Sequence, residues 1–509
     1  MRRLVAATLA GATMLAVHPA RAEDDDDDDE PIRALVYTET PSRNYLRAIA
    51  EGISALAFGY VYYLYTTSNA ADWDLSYSWG SLQAKLVGDA VRFDTNLYDT
   101  NMIAHPISGW AFYTAGRANR LSLLESMLFA TAASTLWETI GELKEQASVN
   151  DLIVTPIGGA VLGEAATQLG AVLDRGKRTW LSELLALVFS PIKKAHDIVD
   201  GATPLRARDV DAVGLPAGEG HAFSLYAQSG FTRQSGAPGS YGDLRVGAHA
   251  EVVNVPTWNR PGVHSGYTSD ANFTFVDLET TTSKVGLSDV RFLARVAPLA
   301  YYHVDLEQGE GGALRGSRWY LGATAGFDYD YHVWDRTRPD LDARASSVHL
   351  GGVDVQHDAF VGGARVRARL HAHPGFAAVS SLTVGDYLRF GGDPSRLPSV
   401  AREQRYYYGW SASVTPALEI TSRRFGLSAM AQLDAYVAVD GLDRRPETVR
   451  DPVEIADEHL FARAAAYYAP IQELHLDLGL DQHLRASRVA DVGVRGTETN
   501  SWAGLSGVF

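Results

Sequence analysis

Two patterns of apolar and polar positions divide this chain. From about Tyr45 to Gly201 apolar residues recur three and four apart, the period of an amphipathic helix; beyond about Gly220 they alternate strictly, the period of a strand. In "SLLESMLFATAASTLWETIGELKE", Leu123, Met127, Ala130, Ser134, Trp137 and Gly141 follow one helical stripe. "RTWLSELLALVFSPIKKAHDIVDG" predicts a second helix that stops or kinks near Pro191. Lys177, Arg178, Lys193 and Lys194 bracket its apolar run, which suits either an anionic membrane surface or packing within its own domain. "YLRAIAEGISALAFGYVYYLY" is the nearest approach to a membrane-spanning helix. Arg47 and Glu51 interrupt it, so it reads as buried or lying at a membrane surface.

The alternating half predicts a different architecture. In "WYLGATAGFDYDYHV", Trp319, Leu321, Ala323, Ala325, Phe327, Tyr329, Tyr331 and Val333 share one face, and Thr324, Asp328, Asp330 and His332 the other. "LHLDLGLDQHL" sets Leu474, Leu476, Leu478, Leu480 and Leu484 against His475, Asp477, Asp481 and His483, and "FGLSAMAQLDAYVAV" repeats the pattern from Phe425 to Val439. Such runs outlast the usual soluble strand of about five or six residues and fit tilted strands that cross a bilayer. Aromatic clusters at Tyr301–Tyr302, Trp319–Tyr320, Tyr406–Tyr408 with Trp410, and Tyr467–Tyr468 are expected at the membrane interfaces. The fold class is therefore α+β: an N-terminal α-helical domain, then a C-terminal antiparallel transmembrane β-barrel of about twelve strands, within a range of about ten to fourteen.

The expected order is a signal peptide (1–22), an acidic disordered arm (23–44), the helical domain (45–201), a linker (202–220) and the barrel (221–509). Arg2 and Arg3, an apolar run and Ala20-Arg21-Ala22 carry the signal-peptide reading. "EDDDDDDE", Glu23 to Glu30, is too charged to bury, with calcium capture as its alternative. With no cysteine among 509 residues, disulfides and thiolate chemistry are excluded. A net charge of −16 without a basic stripe argues against nucleic acid. The chain finishes "SWAGLSGVF", and Trp502, Gly504 and Phe509 resemble the terminal signal of outer-membrane barrels; Gly507 departs from it.

Three motifs in order, "NMIAHPISGWAFYTAGR", "SLLESMLFATAASTLWETIGE" and "SVNDLIVTPIGGAVLGE", resemble the domain-of-unknown-function family 3943 over about residues 94–164. The resemblance implies an exported protein of a Gram-negative bacterium in which this region precedes strand-rich sequence. It implies no activity.

The chemistry must then be weighed from residues. His105, Ser126 (or Ser122) and Glu138 are the catalytic candidates, as base, nucleophile and orienting carboxylate, but no Gly-x-Ser-x-Gly elbow exposes a serine. His105, Glu138 and Glu142 are weak metal candidates, because the Glu-x-x-His pairing of di-iron bundles is missing. The bland alternative is a satisfied polar network of Asn101, His105, Arg117, Glu138, Glu142, Asn150, Asp151 and Glu164. In "NDLIVTPIGGAVLGE", Asn150 or Asp151 is expected to cap a helix, Pro156 to sit in its first turn, and Gly159 and Gly163 to admit a close neighbour. Asp328, Asp330, His332, Asp477, Asp481 and His483 read as a hydrated lumen.

These observations describe an outer-membrane barrel with a structural or transport-like role and no cofactor, its helical domain periplasmic or plugging the barrel mouth. The expected partners are outer-membrane lipid and lipopolysaccharide, and the barrel assembly machinery reached through Phe509. The alternative is an outer-membrane hydrolase or acyltransferase acting on lipid or lipopolysaccharide.

Overall fold

The computed structural model describes residues 42–67, 74–76, 78–234, 240–284, 286–309, 313–334 and 342–509. The expected signal peptide (1–22) and the run Glu23–Glu30 lie outside them.

Strict alternation closes into a barrel. The strands are β1 (Gly220–Gln234), β2 (Ser240–Val253), β3 (Gly262–Thr268), β4 (Phe273–Ser283), β5 (Gly286–Gln308), β6 (Leu314–Val333), β7 (Asp342–Val361) and β8 (Ala364–Ser380). They continue as β9 (Tyr406–Thr421), β10 (Phe425–Ala438), β11 (Ile455–Ile471), β12 (Leu474–Val489) and β13 (Val492–Val508). β3 and β4 both pair with β5, from Gly262↔Leu306 to Thr268↔Ala300 and from Phe273↔Ala297 to Ser283↔Gly286, so together they fill one position in the ring. The last strand returns to the first, Glu498↔Gln234 to Val508↔Ser224, giving a closed antiparallel ring of twelve. The even number brings Gly220 and Val508 to the same mouth, here called the terminal mouth.

Closure gives the two faces different surroundings. On β12, Leu474, Leu476, Leu478, Leu480 and Leu484 are exposed outward, whereas Asp481 is fully buried inside. Phe425, Leu427, Leu433 and Val437 form the matching outward row of β10. The aromatic clusters obey the same period and therefore split, since adjacent side chains point to opposite faces. Tyr302, Tyr320 and Tyr407 turn inward and are buried, while Trp410 and Tyr468 turn outward and are exposed.

The helical region comprises α1 (Tyr45–Thr67), α2 (Trp79–Val87), α3 (His105–Ala118), α4 (Leu123–Leu136), α5 (Val149–Arg175), α6 (Trp180–Phe189) and α7 (Pro191–Asp200). Ser122 and Glu125 close a capping box at α4, which widens after Leu136 into a π-helical turn, Trp137–Gly141. The helix expected over Arg178 to Gly201 breaks at Ser190, one residue before Pro191. Among the described residues, the helix long and apolar enough to cross a membrane is α5 rather than α1. Ser148, not Asn150 or Asp151, caps α5, and Pro156 lies inside it rather than in its first turn.

The helices do not enter the barrel mouth. Phe93, Tyr98, Met102, Val154 and Val161 pack on Ala294, Val296, Phe327, Val348 and Phe376, which point outward from β5 to β8. Leu169 and Val172, further along α5, pack on outward Val252 of β2. A helix of 27 residues is about 40 Å long. α5 therefore lies along the outer wall, its start near the far mouth and its end near the terminal mouth. Phe327 shares the outward face with exposed Leu321 yet is buried, because the helical layer covers it. The far mouth is filled instead by the connection between β8 and β9, which carries α8 (Leu382–Arg389) and α9 (Ser399–Gln404). Residues expected as a linker are tied down: Arg175 forms a double hydrogen bond with Glu219 at 2.9 and 2.7 Å, and His221 meets Asp211 at 2.7 Å.

Candidate functional site

Inward positions of the ring carry charges that meet across the lumen. Arg367 of β8 reaches Glu251 of β2 at 2.8 Å and Asp358 of β7 at 2.7 Å, and Arg369 also reaches Glu251, at 2.9 Å. Arg463 of β11 joins Glu279 of β4 at 2.9 Å and Asp481 of β12 at 2.9 Å; Arg245 of β2 meets Asp481 at 2.7 Å. Charges this deep require partners, since removing an ion from water costs several kcal/mol. The expected lumen residues Asp328, Asp330 and Asp477 line the cavity these pairs frame. Asp481 binds two arginines, and His332 stacks on His483 at 5.1 Å.

The cavity measures about 1210 Å³. It opens at the terminal mouth, beside Arg423, Gln472 and Ser506, and extends inward to Asp330, Asp434 and Tyr436. Beyond Tyr436 an apolar cluster of Val379, Val384, Leu397, Tyr407, Ile455 and Val489 fills the ring. The result is a charged vestibule with one mouth among the described residues, larger than the few hundred to about 1,000 Å³ of most small-molecule sites. Its arginines were not among the sequence candidates, although "RVRARL" puts Arg365, Arg367 and Arg369 on one strand face.

The sequence candidates of the helical region fall into two groups. His105 Nε2 lies 3.4 Å from Asp151, to which Asn150 donates at 2.9 Å. Asn150 accepts from the Asp94 amide at 3.1 Å, and Asn101 donates to Asp94 at 2.6 Å beside the hydroxyls of Tyr406 and Tyr408. Glu138 accepts from the Ser148 amide at 2.8 Å. Arg117 and Glu164 belong to a separate group: they pair at 2.9 Å, and Tyr113 and Gln168 each donate to Glu164 at 2.6 Å. Asp151 and Glu164 stand thirteen residues apart on α5, about 20 Å, so the network is two networks.

Among the described residues, the serine and histidine candidates are not joined by a hydrogen bond. Ser126 is fully buried with no hydrogen-bond partner for its hydroxyl, and packs on Gly116 rather than on His105. Nor do His105, Glu138 and Glu142 converge as ligands among the described residues. Glu138 serves the Ser148 amide, and Glu142 accepts from the Trp137 indole at 2.8 Å.

Lys85 holds the end of this helix, donating to the carbonyls of Glu138 and Glu142 at 2.6 Å each. Burial depresses its ammonium, while burial and then Glu145 push Glu142 up to about 7. A carboxyl raised in the fold from an ordinary value near 4.5 favours folding fully below that value, and its contribution is lost as pH rises through about 7. Limited proteolysis of the detergent-solubilised protein is expected to cut the Lys85–Glu142 region faster at pH 8 than at pH 5. Glu142→Gln narrows the difference; an undiminished difference would assign it to another group.

Comparison with known proteins adds three findings. No curated protein matches the chain. Among solved structures, an anion-selective porin from Comamonas acidovorans matches at 8% identity, covering 57% of this chain and 100% of its own, with a TM-score of 0.21. OmpT of Vibrio cholerae matches at 9% identity over 57% and 97%, TM-score 0.23, and the translocator domain of autotransporter NalP from Neisseria meningitidis at 10% over 64% and 96%, TM-score 0.20. The barrel itself is established by strand pairing, independently of these likenesses. Residues 90–192, from the segment preceding α3 through the start of α7, match the family model described as Domain of unknown function (DUF3943), so the match falls in the layer that covers the barrel wall.

Proposed function

We propose that this chain is an outer-membrane β-barrel protein whose charged, one-mouthed lumen admits small polar solutes, in a structural or transport-like role. The observation that carries the reading is the closed ring of twelve strands with leucine rows exposed outward and ion pairs inside. An apolar band around a polar interior is stable where lipid surrounds the outside and water the inside. The helical layer continues that outer surface: Leu46, Ile53 and Phe58 of α1, Leu124 and Leu128 of α4, and Trp180, Leu184 and Val188 of α6 are exposed. Apolar faces of this extent call for lipid or a partner.

Cell fractionation with heat-modifiable gel migration tests the location. Recovery without detergent in the soluble fraction would overturn it. The transport-like role rests on the plug between β8 and β9. Replacing residues 382–404 by a short turn is expected to raise single-channel conductance in planar bilayers at least about tenfold over the closed wild type. Equal conductance of the two would favour a purely structural role.

A further inference from the structure

We propose that the lumen holds a three-histidine site for a divalent transition ion of borderline softness, of which Zn²⁺ is the type. His371 and His373 are two residues apart on β8 and so share its inward face; His349 faces them from the neighbouring strand β7, its Cα opposite Gly375. One ligand nitrogen from each of the three lies within 4.8 Å of the others. The rings of His349 and His373 stack at 3.3 Å, and His371 stands 5.6 and 5.1 Å from them. All three are buried, at 1%, 2% and 6% exposure.

A histidine trio could simply be packed. These imidazoles, however, leave lone pairs without use: Nδ1 of His349, Nδ1 and Nε2 of His371, and Nδ1 of His373 have no hydrogen-bond partner. A buried polar atom without a partner costs about 1–3 kcal/mol, so several in one cluster point to a ligand that the cluster is built to receive.

The surroundings define which ligand. Asp328 sits 2.8 Å from His349 Nε2 and is itself held by the Ser347 amide at 3.1 Å. Its carboxylate fixes the proton on Nε2 and leaves Nδ1 as the donor, the usual outer support of a metal-bound histidine. A one-residue bulge at Leu350–Gly351 turns His349 inward, since the register slips there against both β6 and β8. Gly326 opposite makes the room: a Cβ there would fall 2.1 Å from His349 Nδ1. Three neutral imidazoles without sulfur select borderline divalent ions over Ca²⁺ or Mg²⁺, and at metal–nitrogen distances of about 2.0–2.1 Å binding requires side-chain rotations that unstack His349 from His373. His371 lines the vestibule, leaving the fourth position to water or a solute arriving from the terminal mouth. Arg295 has its own partner, Asp354 at 3.2 Å.

The test uses the full chain in detergent, stripped with chelator and titrated with ZnCl₂ by calorimetry in excess Ca²⁺, which saturates the acidic run near the N-terminus. One equivalent of Zn²⁺ is expected, together with the intense visible bands of tetrahedral Co²⁺ when CoCl₂ replaces it. The double variant His371→Ala, His373→Ala should lose the site while keeping heat-modifiable migration. Should it fail to fold, Asp328→Asn is the second variant, expected to weaken binding about 10- to 100-fold. His332→Ala, elsewhere in the lumen, should bind as wild type. Absence of Zn²⁺ binding by the wild type, a weak octahedral Co²⁺ spectrum, or undiminished affinity in the folded double variant or in Asp328→Asn would each overturn the proposal.

Discussion

Arg367→Ala is expected to destabilise the barrel by about 1.5–3 kcal/mol, the cost of removing a charge-assisted donor from two buried carboxylates that each keep one other arginine. The guanidinium serves two carboxylates at once, with Nη1 at 3.0 and 2.8 Å from the two oxygens of Glu251, and Nε and Nη2 at 2.7 and 3.2 Å from Asp358. The Asp358 side chain has no solvent exposure and that of Glu251 7%, so water cannot replace the arginine. Arg369 still reaches Glu251 at 2.9 Å and Arg318 still reaches Asp358 at 3.0 Å, which caps the loss. Arg367→Lys should rescue little, because a point charge cannot offer the fork both acids use. Urea unfolding in detergent micelles, followed by tryptophan fluorescence, measures the loss. A triple variant, Arg367→Met with Glu251→Gln and Asp358→Asn, should not recover it, because Arg318 and Arg369 then lose the carboxylates they pair with. A loss below about 1 kcal/mol in Arg367→Ala would show the pair to be solvated and the lumen wider in solution than its ion pairs imply.

Gly159→Val and Gly109→Ala are each expected to detach the helical layer from the wall while the barrel stays closed. α3 and α5 meet backbone to backbone. A Cβ on Gly109 would lie 1.8 Å from the Thr155 carbonyl oxygen, and one on Gly159 would lie 2.2 Å from the Gly109 carbonyl carbon. No rotamer relieves a clash between main chains, so the helices must separate and lose their contacts. Overpacking costs about 1–3 kcal/mol where side chains can adjust, and these positions lie at or above that range. Proteolysis should then cut within residues 78–200 while heat-modifiable migration persists. Gly385→Ala in α8, with no atom within 4 Å of its added carbon, is the control and should be tolerated. Protection of the helices in Gly159→Val would refute the close approach.

The stretch "NDLIVTPIGGAVLGE" shows how far local reading extends. Its glycines admit a close neighbour, as their spacing of four predicts: Gly159 meets Gly109, and Gly163 meets Tyr113. Its polar residues were harder. Asp151 faces His105, whereas Glu164 belongs to Arg117, because thirteen residues of helix carry them to different heights on the wall. Pro156 inside α5 also escaped the local rules, which favour proline in the first turn. The histidine trio was half legible: "LHAHP" places His371 and His373 on one face, but His349 carries the outward parity of Val353 and Val355 until the bulge reverses it.

The sequence by itself determined the two secondary-structure regimes, the barrel of about twelve strands, and its outward leucine rows and inward acids, because each follows from a period or a spacing within one segment. Only the tertiary structure decided which residues meet across the lumen, which mouth is filled, that the helices cover the outer wall instead of entering it, and that Ser126 lies against Gly116 rather than His105. Those depend on ring closure, on one bulge, and on which of two apolar surfaces finds the other. Outward Phe327 and outward Leu321 are indistinguishable by period, yet one is buried under a helix and the other exposed, since alternation fixes the side of the wall and not what lies against it.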